Sequence, residues 1–168
     1  YLDCCKLFAT YDALEKFDSV YIIASIDGVG QHNNYLRHGS DWPVVEDNFK
    51  IFQSMPNVRL DIGYILQHSS VYTLQNVVEF ANTNNIRIWM GEVYDDSGYL
   101  GINSVLTDDV ERAKRHLDCC NHEQRKTVQC WLDSHHFDAK LHKKYKEYVK
   151  TLDSIRGTDF VKTFNPSW

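Results

Sequence analysis

Three polar residues stand where a short apolar run gives way to a glycine-bearing loop: Ser25, Asp27 and, twelve residues after the Ser, Arg37. A hydroxyl, a carboxylate and a guanidinium in that order suit the gripping of a polar ligand. A guanidinium makes two parallel hydrogen bonds to a carboxylate or phosphate, and Gly28 and Gly30 let the backbone bend or approach a ligand closely. On spacing alone, a polar loop whose Arg makes a surface ion pair is the simpler account. A second grouping, His116, Cys119, Cys120, His122, Cys130, His135 and His136, has ligand types for zinc or an auxiliary iron–sulfur cluster. Its spacing matches no pair of Cys-x2-Cys knuckles, and cysteines packed between helices with solvated histidines explain it better. Adjacent cysteines point apart in a helix or a strand, so Cys4–Cys5 and Cys119–Cys120 are expected to be poor partners for each other or for one metal. The lysines at 140, 143, 144, 146 and 150 alternate with an apolar stripe and read as a solvated face. Asp108, Asp109 and Glu111 suit the start of a helix, where its dipole favours negative charge. Ser25 and His32 lack the Gly-x-Ser-x-Gly elbow of a hydrolase.

The elements that must position these groups alternate. Leu7, Tyr11 and Leu14 share one helical face. Residues 20–26 form an apolar run too short for a helix, expected as a strand buried on both faces of a parallel sheet. A polar loop to Asp41 leads into a helix carrying Val45, Phe49 and Phe52, with Pro43 tolerable in its first turn. Residues 58–66 and 86–93 predict two further strands. Between them lies a helix bearing Leu74, Val77, Val78 and Ala81, with Thr73 as its expected cap. Alternation of this kind implies βαβ units and a parallel sheet. After Tyr94 a turn and a short extended piece, 99–105, precede helical patterns near 108–119, 122–134 and 138–155. Gly157 suits the residue after the last helix, and Phe160, Phe164 and Trp168 are expected to dock an irregular tail.

The chain has 168 residues, a formal net charge of −5 and 43% hydrophobic residues. One domain's worth of core is available. The charge argues against a mainly electrostatic grip on nucleic acid, and no apolar run approaches the ~20 residues of a membrane span. Five cysteines, an odd number, are too sparse for a secreted disulfide scaffold and suit reduced thiols in a cytoplasmic protein. The start at Tyr1, without an initiator Met and close to a helical pattern, suggests that an upstream segment is missing.

The stretch "SIDGVGQHNNYLRHGSDWPVVEDNFKIF", with "SIDG" closing a strand and Arg37 twelve residues after Ser25, resembles the fourth strand and following loop of radical S-adenosylmethionine enzymes. It is most similar to the branch with SPASM or twitch extensions. The ending "LDSIRGTDFVKTFNPSW" resembles the same subgroup; the likeness covers residues 19–93, returns at 152–168 and is loose between. It implies an α/β fold: a partial (β/α) barrel with parallel strands over residues 1–94, then an α-helical C-terminal segment over 95–168. It further implies that Ser25 and Arg37 contact S-adenosylmethionine, that Asp27 braces the loop, and that the end of the second strand contributes Gln67, His68 and Ser70. In the intact family the cofactor is cleaved reductively at a 4Fe–4S cluster, giving a 5′-deoxyadenosyl radical that abstracts hydrogen from a substrate. The cluster's Cys-x3-Cys-x2-Cys loop and the Gly-Gly-Glu segment are absent here and are expected upstream of Tyr1. The chain alone is therefore expected to be inactive. Its expected partners are a peptide or small-molecule substrate and the missing N-terminal half of the barrel, with neither membrane nor nucleic acid. The alternative is a cluster-less relative serving as a ligand- or partner-binding module.

Overall fold

The computed structural model describes residues 11–168; Leu7, Cys4 and Cys5 lie outside them. Three strands, β1 (Val20–Ser25), β2 (Val58–Leu66) and β3 (Arg87–Glu92), form an open parallel sheet in the order β1-β2-β3. Between β1 and β2 run α1 (Gln31–Leu36) and α2 (Trp42–Ser54); between β2 and β3 runs α3 (Ser70–Thr83). The chain then becomes helical, with α4 (Thr107–Lys114), α5 (His122–Asp133), α6 (Ala139–Arg156) and α7 (Phe160–Phe164). No described helix is long and apolar enough to cross a membrane.

Side chains alternate across a strand, so each strand writes two faces. Ile62, Tyr64, Leu66 and Ile88 turn toward Trp42 and Phe49 of α2 and Leu74, Val77, Val78 and Ala81 of α3 in one apolar core. Burying each such aliphatic side chain contributes roughly 1.5–3 kcal/mol. The same core continues through Val110 and Ala113 of α4 and Val128, Trp131 and Leu132 of α5. A second cluster, Tyr35, Tyr145, Val149, Phe160 and Phe164, lies where α1, α6 and α7 meet.

The opposite face is open. Tyr21, Ile23, Ile65 and Trp89 are each 40–51% exposed. The expectation that the first strand is buried on both faces is thus corrected: among the described residues helices cover one face only, and period-two alternation holds in β1. The extended piece at 99–105 is instead a turn followed by a 3-10 turn at Ile102–Ser104. Thr73 does not cap α3, which begins three residues earlier; it is buried, and its hydroxyl bonds the Tyr64 hydroxyl at 2.9 Å. The tail is helical over α7 and irregular only beyond it, at residues 165–168.

The long helix α6 has signals at both ends. The Asp138 side chain accepts from the backbone N–H groups of Lys140 and Leu141, a cap contributing ~1 kcal/mol. Gly157 closes it at φ 66°, a left-handed geometry that a Cβ would strain.

Candidate functional site

The loop after β1 is built around close contact. A Cβ on Gly28 would stand 2.8 Å from the Cβ of His32 and 3.0 Å from the backbone N of Asn33. Glycine therefore lets α1 fold directly back on the strand end. Arg37, just past α1, bonds Asp27 at 2.9 Å. Asp27 is pushed above the ordinary carboxylate range by burial, which outweighs the attraction of Arg37. Ser25, last in β1, stands exposed on the open face beside Gly63 of β2.

α1 is held from the far end of the chain. His32 Nε2 lies 3.1 Å from the Thr163 carbonyl and its ring stacks on Phe164, with centroids 5.0 Å apart. A carbonyl only accepts, so Nε2 carries the proton and Nδ1 is a bare acceptor in the neutral ring. Burial lowers the His32 pKa. The Tyr35 hydroxyl donates to Asp153 at 2.8 Å, and the Asn33 amide donates to Ser40 at 2.9 Å.

The concentration of incomplete hydrogen bonding here is informative. Buried polar atoms almost always have partners, and exceptions call for an explanation. Among the described residues six buried side-chain atoms lack one, and four of these are His32 Nδ1, Asn33 Oδ1, Asn34 Oδ1 and Arg37 Nε. Three acceptors and one guanidinium donor without partners thus fall within six residues of the chain.

The second strand end behaves differently. Gln67 joins Asp27, Tyr35, Tyr145 and Arg156 around a cavity of about 110 Å3 beneath α6. His68 is 1% exposed, stacked on Tyr145, with Nδ1 2.6 Å from the Ser104 hydroxyl. That hydroxyl donates to the Gly101 carbonyl at 2.8 Å, so it accepts from His68 and the ring is the neutral Nδ1–H tautomer. Burial, then the nearby His142, holds the His68 pKa well below its usual value. The Ser70 hydroxyl donates to the Ile65 carbonyl and accepts from the Gln67 N–H. Ser25, Asp27, Arg37 and Gln67 therefore gather around the strand ends, while His68 and Ser70 serve the packed interior beside them.

The open face holds a cluster that the sequence reading did not single out. Asp61 Oδ2 accepts from the Tyr21 hydroxyl at 2.6 Å, from Arg87 Nε and a terminal nitrogen at 2.8 and 2.6 Å, and from Trp89 Nε1 at 2.7 Å. Burial would raise its pKa, but the bonds from Tyr21, Arg87 and Trp89 prevail and hold it below the ordinary value. Arg87 also stacks over the Trp89 ring at 4.2 Å. The available signal was the alternation Val58-Arg59-Leu60-Asp61-Ile62, which sends two charges to one face.

Among the described residues no group of three or more His, Cys, Asp or Glu side chains is placed to hold a metal ion. No family model, curated protein or solved structure matches the chain.

Proposed function

We propose that this chain is a portion of a radical S-adenosylmethionine enzyme, its sheet an arc of a partial (β/α) barrel whose open face is the inner wall. The reading is carried by one observation: His32, Asn33, Asn34 and Arg37 each bury a polar atom without a partner, in the loop and helix that follow Ser25 at the end of the first parallel strand. S-adenosylmethionine has the complementary groups, an ammonium and ribose hydroxyls for the acceptors and a carboxylate for Arg37 Nε. Arg37 orients the carboxylate, Asp27 holds the guanidinium in place, and Ser25 offers a hydroxyl on the open face. The cavity beside Gln67, about 110 Å3, is smaller than the roughly 300–1,000 Å3 of small-molecule sites. The cofactor in this reading lies on the open face at the strand ends. When bound it supplies a hydrogen-abstracting radical for a peptide or small-molecule substrate. Among the described residues no group of side chains fits a 4Fe–4S cluster.

Calorimetry tests this. S-adenosylmethionine is expected to bind the chain, and binding is expected to fall at least tenfold in Arg37→Ala, about 1.4 kcal/mol. Failure of the unaltered chain to bind, or binding indifferent to Arg37, would reject the reading.

The Asp61 cluster favours a second reading, a cluster-less ligand- or partner-binding module. Tyr21 and Trp89 are half exposed and fixed by a shared carboxylate, which gives a rigid aromatic platform. Under that reading Trp89→Ala, rather than Arg37→Ala, abolishes ligand binding.

A further inference from the structure

Adjacent cysteines in a regular helix or strand diverge, but Cys119 and Cys120 do not. Cys119 ends the 3-10 turn Leu117–Cys119, and Cys120 switches to extended backbone at φ −81° and ψ 138°. This change of direction brings the two Sγ atoms to 3.9 Å, correcting the expectation that such neighbours point apart. Cys119 is partly exposed and its thiol reaches the His116 carbonyl at 3.1 Å. Cys120 is 8% exposed at the rim of the main core. The backbone around them is anchored: Asn82 donates to the Cys119 carbonyl at 3.0 Å, and Arg125 to the Leu117 carbonyl at 2.9 Å.

We propose that Cys119 and Cys120 are a vicinal dithiol that closes reversibly into a disulfide by exchange with a small-molecule disulfide such as oxidised glutathione. The Cys119 thiolate attacks one sulfur of the reagent, forming a mixed disulfide and releasing one glutathione thiolate. Cys120 then attacks the Cys119 sulfur, forming the Cys119–Cys120 bond and releasing the second. The two thiol protons leave on the two glutathione molecules, so the protein is oxidised by two electrons and the reagent reduced by two. Cys119 is the entry point because it is the more exposed. Burial raises the pKa of both thiols, that of Cys120 to about 12, so exchange is slow at neutral pH and quickens as pH rises. Neighbouring Cα atoms stand only ~3.8 Å apart across a trans peptide, closer than the ~4.4–6.8 Å usual for disulfides. The product is therefore strained and easily reduced, as labile disulfides are. Closure also tugs on Asn121, whose side chain and Gln124 form the capping box of α5.

The full chain is incubated with excess oxidised glutathione, then alkylated, digested and mapped by mass. A parallel sample carries Cys4→Ser, Cys5→Ser and Cys130→Ser to remove competing thiols. The expected result in both is a 119–120 peptide lighter by two hydrogens, free of glutathione, and restored by mild dithiothreitol. Glutathione retained on Cys119 with Cys120 alkylated, or both thiols still alkylated after prolonged exposure, would overturn the proposal.

Discussion

Two aspartate–arginine pairs on this sheet are alike on paper and opposite in behaviour. Asp27–Arg37 closes the loop after β1; Asp61–Arg87 spans β2 and β3 on the open face. Each aspartate is well covered, with side chains 13% and 3% exposed. Yet burial wins at Asp27, raising its pKa, while Asp61 is held below the ordinary value. The difference is donor supply. Asp61 Oδ2 alone takes bonds from a phenol, a guanidinium and an indole, whereas Asp27 has Arg37. An arginine beside a carboxylate does not by itself fix its charge; the number of donors set against desolvation does. Asp61 is a finished structural joint. Asp27 and Arg37 form an unfinished one, with Arg37 Nε left without a partner.

Removing the Asp61 carboxylate should have the largest effect. Asp61→Ala strands Tyr21, Trp89 and Arg87 without their common acceptor, and a loss of ~2 kcal/mol is expected in urea unfolding. Half-exposed Arg87 can turn to water, which keeps the loss below that of a fully buried broken pair. A change under ~0.5 kcal/mol would break the contrast. Trp89→Phe keeps a ring and deletes one of the donors, so about 1 kcal/mol is expected in the same measurement. Asp27→Asn should change stability by no more than ~0.5 kcal/mol at neutral pH, because the burial cost it relieves offsets the lost ion pair. In acid the two sites should diverge in sign. Asp61, depressed when folded, stabilises the fold above its unfolded value near 3.8 and loses that contribution as pH falls through its lower folded value. Asp27, raised when folded, contributes most below 3.8 and loses its contribution as pH climbs through the raised value. Thermal melts against pH should therefore flatten at the acid end in Asp61→Asn, and lose a small decline just above 3.8 in Asp27→Asn. Parallel profiles would mean that donor count is not the deciding quantity.

What could be read in advance follows from how local each signal is. The strand–helix alternation, Pro43 in the first turn of α2 and Gly157 after α6 depend on nearby residues, and each was legible. The pairing of Asp27 with Arg37 is equally local, since both lie in the segment after β1. The Asp61 joint needed the register of three strands, pairing Ile23 with Asp61 and Asp61 with Arg87, which no single segment encodes. β1 reads as doubly buried in sequence because Tyr21 and Ile23 are as apolar as their neighbours. Only the lack of a cover, a tertiary fact, sets them apart. His68 and Ser70 follow the end of β2, but their turn into the core depends on Ser104, Tyr145 and the Ile65 carbonyl. The Cys119–Cys120 approach rests on one backbone change of direction that residue types do not announce.

The grip of Thr163, Phe164 and Asp153 on His32 and Tyr35 also sets an order of events during synthesis. β1 and its loop emerge from the ribosome early, yet the contacts that seat α1 come from residues more than a hundred positions later. Long-range closure of this kind is slow to form. The loop carrying Arg37 must therefore wait, incompletely seated, until nearly the last of these residues has emerged. A nascent chain stalled before Phe160 would have its sheet but no ordered β1 loop.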